Sequence, residues 1–498
     1  MLKRGMDLDT LARRSTPDSP LPGILIAGTH SGCGKTTVTL AIMAALKKRG
    51  LKVAPFKVGP DFIDPGHHAS VCGCPSHNLD GWILNKSSVQ KLYSQYCTGA
   101  DVSVIEGVMG LFDGAGGTSE SGSTAEIAKW LDLPILLIVD VIGMARSVAA
   151  LVKGYLGFDS GIRFAGVVLN KTGSKRHAAL LKEALSPMGL SWTGTLFRNQ
   201  DMDLPSRHLG LITAEEGGLE AEQADLFSIW FEKGCDLNSL LKTIRQNKKD
   251  IRPADQTETK KDPGISPSRP VRIAVAKDEA FCFYYQANLD ILEKFGAEIV
   301  FFSPLRDHSL PSGVQGLYLG GGYPELHAET LSRNRDLREE ILTKAQENLP
   351  IYAECGGFLY LCRGLVQKEE PRQEYPWIGL FPFMVNIQKR RYALGYREII
   401  LKKDTILGPA GTKIRGHEFH YSNLVEPISQ DKSILSVYEV RNAGNSLLAP
   451  EGYAWNNTLA SYIHLHFGSC PDAAKNFVAE ARWHFVRNRS GFAENPNR

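Results

Sequence analysis

The chain has 498 residues, of which 43% are hydrophobic and 22% are charged, and its formal net charge is +3. This length favours two or three domains with ample apolar material for their cores, and the near-neutral charge argues against a nucleic-acid partner. Nine cysteines without paired spacing are typical of reduced thiols and argue against a disulfide framework.

The first twenty residues are polar and are interrupted by Pro17 and Pro20. This composition predicts a disordered tail over residues 1–20 and lacks the apolar core of a secretory signal. The longest apolar run, from Leu133 to Met144, is interrupted by Asp140 and is too short to span a bilayer. We therefore expect a cytoplasmic protein without a membrane partner.

From residue 21 to residue 244, short apolar runs alternate with helix-length segments, which predicts a parallel sheet covered by helices on both faces. The predicted strands are Ile24–Gly28, Val53–Gly59, Val102–Gly107, Pro134–Asp140, Phe164–Asn170 and Thr193–Leu196. Residues 245–270 are rich in Lys, Asp, Ser and Pro, and we predict an interdomain linker there. A second alternating pattern covers residues 271–490, with predicted strands Arg272–Ala276, Glu298–Phe302, Gly316–Leu319 and Pro350–Ala353. The fold class is therefore predicted to be α/β, with two doubly wound domains.

The segment Gly28-Thr-His-Ser-Gly-Cys-Gly-Lys-Thr-Thr37 follows a predicted strand and opens a predicted helix, which is the context of a phosphate-binding loop. Backbone N–H groups of such a turn and the positive end of the helix attract phosphate oxygens. Lys35 would reach the outer phosphates of ATP, and the Thr36 hydroxyl would bind Mg²⁺. The predicted ATP-binding residues are Gly32, Gly34, Lys35, Thr36 and Thr37, with Asn170 as a weaker candidate for a contact with the base.

Two acidic motifs follow predicted strands, Lys57-Val-Gly-Pro-Asp61-Phe-Ile-Asp64 and Glu106-Gly-Val-Met-Gly-Leu-Phe-Asp113. The carboxyl ends of parallel strands meet at one edge of a sheet, so these acids are expected beside the phosphate loop. We predict that Asp61 and Glu106 join Thr36 as ligands of Mg²⁺, which prefers oxygen donors. Lys57, Asp61, Asp64 and Asp113 are predicted to serve carboxylate activation and substrate binding. Each acid also has an ordinary reading as a loop carboxylate or a helix cap.

These motifs together resemble the cobyrinic acid a,c-diamide synthase family, whose ATP-binding domain is similar to that of dethiobiotin synthetase. The segment Leu204–Leu211 also fits that family, and Phe62 stands where relatives frequently have tyrosine. The resemblance implies a P-loop NTPase-like sheet and ATP-dependent amidation of the a and c acetate side chains of a corrin ring. His30 stands where partition-type ATPases carry a second lysine, which argues against a dimerising ATPase switch.

In the second half, Pro350-Ile-Tyr-Ala-Glu-Cys355-Gly-Gly places a cysteine between an apolar strand and an apolar helix. This is the pattern of a nucleophile elbow, and the helix N-terminus favours the thiolate. The segment around His464 resembles the element that carries the catalytic histidine of class I glutamine amidotransferases, which implies a flavodoxin-like glutaminase domain. His466 stands where many of these enzymes have a glutamate, so the chain resembles the subgroup without a third catalytic member.

The segment Leu319–Leu326 resembles the oxyanion loop of the same enzymes, which implies that the N–H groups of Gly321 and Gly356 bind the oxyanion. The segment Gly416–Ser422 also matches the family, without a role that the sequence assigns.

The combined prediction is a carbon–nitrogen ligase that takes ammonia from glutamine and amidates cobyrinic acid in cobalamin biosynthesis. Cys355 would attack the glutamine amide, and His464 would carry the protons. ATP with Mg²⁺ would activate each carboxylate of the tetrapyrrole, and a homodimer is left open. Two alternatives stay open: the same chemistry on hydrogenobyrinic acid or nickel-sirohydrochlorin, and an ATPase switch with a non-catalytic glutaminase-like domain.

Overall fold

The structure is a computed structural model that describes residues 21–190, 192–202, 204, 206–207, 210–217, 221–246, 270–367, 373–388, 392–425 and 434–490. The predicted tail and most of the predicted linker lie outside the described residues. Within those ranges, no helix combines the length and the apolar character needed to cross a membrane.

A seven-stranded parallel sheet organises the first half, in the order β3-β2-β4-β1-β5-β6-β7. Its strands are β1 Gly23–Gly28, β2 Val53–Val58, β3 His77–Leu79, β4 Val102–Glu106, β5 Ile135–Asp140, β6 Phe164–Thr172 and β7 Thr193–Phe197. Alternate residues of β1 enter two different cores, Ile24 and Ile26 on one face and Leu25 and Ala27 on the other. This is the burial expected of a strand that helices cover on both sides.

The short strand β3 is absent from the sequence prediction because three residues give too little periodicity to detect. A two-stranded hairpin, β8 Ser206–Arg207 and β9 Gly210–Leu211, follows the sheet. The helices of this half are α1 Lys35–Lys48, α2 Ile63–Cys72, α3 Lys86–Cys97, α4 Thr124–Trp130, α5 Ser147–Phe158, α6 Lys175–Leu185, α7 Ala214–Gly217, α8 Ala221–Gly234 and α9 Leu237–Gln246.

The second half contains a ten-stranded sheet in the order β11-β10-β12-β13-β22-β21-β20-β17-β18-β23. Its strands are β10 Val271–Ala276, β11 Ala297–Phe302, β12 Gly316–Leu319, β13 Ile351–Glu354, β17 Ala393–Leu401, β18 Lys413–His420, β20 Leu435–Asn442, β21 Glu451–Trp455, β22 Thr458–Ser461 and β23 His464–Leu465. The first five strands in the order are parallel, and the rest are antiparallel. The predicted α/β class is confirmed, and the antiparallel extension is an addition that the sequence analysis missed.

A four-stranded sheet and five helices complete the description of this half. The smaller sheet has the order β15-β14-β16-β19, with β14 Cys362–Gln367, β15 Gln373–Pro376, β16 Phe381–Ile387 and β19 Ser422–Leu424. Within the described ranges, the α-helices of this half are α10 Gln286–Lys294, α11 Ala328–Arg333, α12 Arg335–Gln346, α13 Gly356–Leu361 and α14 Pro471–Ser490.

The large sheet curls back on itself at its antiparallel end. Strand β22 lies in the middle of the sheet, but β23, only two residues further along the chain, pairs with β18 at the edge. Strand β18 is therefore carried over the carboxyl end of β13, where the Phe419 carbonyl lies 3.9 Å from the Cys355 sulfur. This curl covers the nucleophile elbow on the side of Phe419.

The two halves contact each other at the end of the sheets that carries the predicted site residues. The hydrogen bonds that cross this boundary include His77 Nε2 with Asp290 Oδ2 (2.9 Å), Tyr396 Oη to Asp80 Oδ2 (2.9 Å) and Arg415 Nη1 to the Trp82 carbonyl (3.0 Å).

Candidate active sites

The phosphate loop joins β1 to α1 in the predicted position. Gly32 and Gly34 have φ values of 82° and 95°, a region that favours glycine, and a Cβ at Gly34 would lie 2.2 Å from Asn170 Nδ2. Asn170 is buried beneath the loop, and its amide donates to the Cys33 carbonyl at 2.9 Å. The structure therefore gives Asn170 a role in holding the loop, and its contact with the base stays a prediction.

Lys35 opens helix α1 and folds back over the loop. Its ammonium donates to the His30 carbonyl at 3.3 Å. Burial, together with the nearby positive charge of Lys57, lowers the pKa of Lys35. An anionic phosphate at this position would relieve that cost, since it pairs with the buried charge. Thr36 and Thr37 follow on the first turn, and both are half-buried.

Glu106 ends β4 as a fully buried carboxylate with three side-chain donors. Oε1 accepts from Thr36 Oγ1 at 2.6 Å and from Lys57 Nζ at 3.0 Å, and Oε2 pairs with His68 Nε2 at 2.8 Å. Burial alone would raise the pKa of Glu106, but the Lys57 charge and the His68 hydrogen bond lower it below its ordinary value. Glu106 is therefore an ionised group placed beside the residue expected to bind Mg²⁺.

His68 is a site residue that the sequence analysis missed. It lies four residues after Asp64 on α2, and this spacing puts both side chains on one face of the helix. The four-residue spacing from Asp64 is the sequence feature from which His68 could have been predicted. Its other ring nitrogen pairs with Ser76 Oγ at 3.2 Å, so both nitrogens are engaged and the ring orientation is fixed.

Lys57 is surrounded by three carboxylates. Its ammonium pairs with Asp64, with Glu106 at 3.0 Å and with Asp61 at 3.8 Å. Burial opposes the charge, but the three carboxylates raise the pKa of Lys57. Burial and the charges of Asp61 and Glu106 raise the pKa of Asp64. The structure thus brings Asp61, Asp64 and Glu106 together as predicted, with more negative charge than one ammonium can balance.

Asp113 does not join this cluster. Its side chain is exposed, and its carboxylate accepts from the Gly110 N–H at 2.9 Å within its own turn. That turn is tied to the phosphate loop because Leu111 N–H donates to the Gly28 carbonyl at 2.9 Å. The structure therefore supports a role for Asp113 in shaping the loop, and it places no ion pair between Asp113 and Lys57 among the described residues.

Cys355 occupies a strained elbow between β13 and α13. Its φ of 46° and ψ of −106° lie outside the common regions for a residue with a side chain. The backbone is held on both sides, since Cys355 N–H donates to the Ser461 carbonyl at 2.7 Å and Leu359 N–H donates to the Cys355 carbonyl at 2.9 Å. Burial raises the pKa of the Cys355 thiol. The negative charge of Glu325 acts in the same direction, so the surroundings of Cys355 favour the thiol over the thiolate expected from the sequence.

His464 lies beside this elbow as a buried, neutral imidazole. A Cβ at Gly321 would lie 2.3 Å from His464 Cε1, and a Cβ at Gly356 would lie 3.0 Å from the next nitrogen of that loop, Gly322 N. Burial lowers the pKa of His464 to about 3. A neutral imidazole can act as a base that takes the proton of a thiol when substrate arrives.

The oxyanion loop differs from the prediction at one position. Gly321 N–H donates to the Phe283 carbonyl at 3.2 Å, so it is engaged in a β-bridge. The prediction for Gly321 is therefore not supported. Gly322, with a φ of 153°, presents its nitrogen toward Gly356, whose own N–H lies against the Cys355 sulfur. Gly322 and Gly356 are the pair that the geometry favours as oxyanion donors.

The two histidines of the predicted pair have different surroundings. His466 Nδ1 accepts from the Gly468 N–H at 3.0 Å, and its ring packs on Tyr285. His464 instead stacks on His417 of β18, with centroids 5.0 Å apart and planes 14° apart. The segment Gly416–Ser422, unassigned from sequence, thus supplies the cross-strand neighbour of His464.

Phe62 connects the two sites. It lies between Asp61 and Asp64 in the chain, and its ring centroid is 4.9 Å from that of His464 and 5.2 Å from that of His417. It also stacks on Phe283 at 5.4 Å. The residue at the centre of the first acidic motif is therefore in contact with the predicted base of the second site.

Two protein families match the two halves of the chain. Residues 24–212 match the family described as "CobQ/CobB/MinD/ParA nucleotide binding domain", and residues 272–471 match "CobB/CobQ-like glutamine amidotransferase domain".

Several curated relatives match nearly the whole chain. The chain is 43% identical to a protein of Leptospira interrogans over 92% of this chain and 98% of the relative, and 44% identical to one of Syntrophotalea carbinolica over the same shares. Both relatives are named "Cobyrinate a,c-diamide synthase". A relative from Streptomyces coelicolor, 39% identical over 94% of this chain and 99% of its own length, is named "Hydrogenobyrinate a,c-diamide synthase".

Proposed function

The chain belongs to the cobyrinate a,c-diamide synthase family and is a glutamine-hydrolysing ligase, and we propose that it converts the a and c acetate carboxylates of cobyrinic acid to amides. The observation that carries this proposal is the contact between Phe62 and His464 at 4.9 Å. It joins a carboxylate cluster beside a phosphate loop to the base of a cysteine site. The site that would release ammonia and the site that would use it therefore meet where the two halves of the chain contact each other.

In the first half, Lys35 and the loop amides bind the phosphates of ATP. The Thr36 hydroxyl and the carboxylates of Glu106 and Asp61 fit Mg²⁺, because all are oxygen donors and the Lys57 cluster has excess negative charge. Mg²⁺ bound there would neutralise charge on the β- and γ-phosphates. Lys57 lies where it can offset charge on the phosphoryl group as it passes to the substrate carboxylate.

In the second half, Cys355 attacks the carboxamide carbon of glutamine while His464 takes the thiol proton. The N–H groups of Gly322 and Gly356 hold the oxygen that becomes negative. Collapse of this species breaks the C–N bond, and His464 returns the proton to the departing ammonia. Water then cleaves the thioester and releases glutamate, with His464 again accepting and donating the proton.

Ammonia completes the reaction by displacing phosphate from the activated carboxylate. It must stay unprotonated to act as a nucleophile, so a route away from bulk water is needed. The aromatic cluster of Phe62, Phe283 and Tyr285 contacts His464 through Phe62, which adjoins Asp61 in the chain, and we expect the route to run beside this ring. Repetition on a second acetate would give the diamide. A homodimer and a cytoplasmic location stay predictions of the sequence.

Mass spectrometry of cobyrinic acid incubated with the protein, MgATP and glutamine tests this function. We expect a product with two carboxyl groups converted to amides and glutamate released in proportion. A product from hydrogenobyrinic acid or nickel-sirohydrochlorin, but none from cobyrinic acid, would keep the chemistry and change the ring. ATP hydrolysis without glutamate release from any of these mixtures would refute the proposal and favour a nucleotide switch.

A further inference from the structure

The carboxylate of Glu354 lies next to the base His464, although in sequence it precedes the nucleophile. Glu354 is the last residue of β13, and its Oε2 lies 3.9 Å from His464 Nδ1. Both side chains are about 1% exposed. Nδ1 is buried and has no hydrogen-bond partner among the described residues. An unpartnered buried ring nitrogen is uncommon, and catalytic hydrogen bonds are often long before substrate binds.

The hydrogen bonds of Glu354 leave one acceptor position on the oxygen that faces His464. Oε1 accepts from Tyr352 Oη at 2.5 Å and from the Leu465 N–H at 2.8 Å. Oε2 accepts only from Tyr318 Oη, at 2.9 Å, among the residues described. Because each carboxylate oxygen has two lone-pair sites, Oε1 is saturated and Oε2 is not. The free acceptor position on Glu354 Oε2 therefore faces the unpartnered Nδ1 of His464.

We infer that Glu354 is the positioning carboxylate of His464 and fills the third role that the sequence pattern leaves vacant at His466. When His464 takes the proton of Cys355, its Nδ1–H becomes part of an imidazolium and donates to Glu354 Oε2. The carboxylate then stabilises the charge of the ring and holds Nε2 toward the sulfur. This inference rests on the proposed glutaminase activity of Cys355.

Other titratable groups surround Glu354 and His464. Tyr318, Tyr352 and Tyr438 face Glu354, and His417, His420 and Glu418 face His464. Burial raises the pKa of Glu354 to about 7. The share of Glu354 in the carboxylate form therefore increases as the pH rises through neutrality.

The test is Glu354→Gln, which keeps the side-chain size and an oxygen acceptor but removes the negative charge. Loss of such an orienting partner typically costs about 10- to 100-fold, so we expect the kcat of glutamine hydrolysis to fall by that amount while KM changes by less than about threefold. The alkylation rate of Cys355 by iodoacetamide should be measured as a function of pH, and the midpoint of this profile should move to higher pH. Amidation driven by ammonium chloride should stay at the wild-type rate.

Tyr438→Phe is the matched control, because it removes a buried hydroxyl near the same carboxylate that has no hydrogen-bond partner among the described residues, and it leaves the hydrogen bonds of Glu354 in place. It should retain glutamine hydrolysis within about threefold and keep the alkylation profile, since the donors to Glu354 and its charge are unchanged. Glu354→Gln with unchanged kcat and alkylation profile would overturn the inference. So would equal loss of glutamine-driven and ammonia-driven synthesis, which would make Glu354 a structural residue only. Absence of glutamine hydrolysis in the wild-type protein would instead refute the proposed function.

Discussion

Replacing Gly321 by alanine should disable the glutaminase site through a steric clash with its base. The added Cβ would lie 2.3 Å from His464 Cε1, whereas ordinary contacts begin near 3.4 Å. The backbone at Gly321 is held by two hydrogen bonds to Phe283, so it cannot retreat easily. The ring of His464 packs against both His417 and Phe62 and is 1% exposed, so the clash must displace this ring itself.

The displacement needed is the difference between these two distances, about 1 Å. A misplacement of about 1 Å at a reacting group costs on the order of 100-fold in rate, or about 2.7 kcal/mol in the barrier. We therefore expect glutamine hydrolysis to fall by about 100-fold. Amidation from ammonium chloride should fall by much less, because the first half does not use His464 and meets the displaced ring only through Phe62.

Glutamate release and amide formation should be measured for Gly321→Ala with each nitrogen donor, and the melting temperature should be compared with that of the wild type. Gly444→Ala is the control in the same half, since its Cβ would meet only Asn442 Oδ1, at 3.4 Å, and its φ is not in the left-handed region. Glutamine hydrolysis by Gly321→Ala within about threefold of the wild type would refute the steric argument.

Three further predictions follow from the two sites. Cys355→Ala should abolish amidation from glutamine and preserve amidation from ammonia, because the sulfur acts only on glutamine; equal loss with both donors, measured by product mass, would contradict two separate sites. Glu106→Gln should reduce synthesis with either donor by about 100-fold or more, because it removes the charge that Thr36 and Lys57 contact, while glutamate release continues; normal product formation would contradict this. Finally, burial lowers the pKa of His464 from its ordinary value of 6.5 to about 3, so the ring stays an unprotonated base below pH 6.5. In Glu354→Gln, where the carboxyl group with a pKa of about 7 no longer titrates, the acid limb of kcat/KM for glutamine hydrolysis should therefore lie below pH 6.5, and a limb at or above that value in this variant would contradict a buried neutral base.

The sequence predicts those parts of the sites that local pattern determines. The phosphate loop and the elbow at Cys355 are each a strand, a glycine turn and a helix in continuous sequence, and the structure has both where they were predicted. The convergence of Asp61, Asp64 and Glu106 follows from a general property of parallel sheets.

Contacts between residues far apart in the chain escaped the sequence analysis for a physical reason. Whether the Gly321 N–H is available depends on its bridge to Phe283, and the pKa of the Cys355 thiol depends on burial that the curled sheet creates. Neither property leaves a periodic signal. Glu354 was overlooked because catalytic roles were assigned by spacing from His464, whereas its position beside the ring depends on the pairing of β13 with β22.

Phe62 belongs to the first half of the chain but contacts His464 of the second half, so it can couple ligand binding at the two sites. Asp61 and Asp64 flank this residue, and both pair with Lys57, so a ligand that displaces either carboxylate must also move or strain the adjoining aromatic ring. That ring covers His464, and well-packed interiors do not deform without cost. Linkage between two sites is reciprocal, so a synthase ligand that changes the setting of His464 must itself be affected by glutamine at Cys355. We therefore expect glutamine affinity to differ between the protein with and without MgATP and the tetrapyrrole, and equal affinities in both states would leave the contact with a packing role alone.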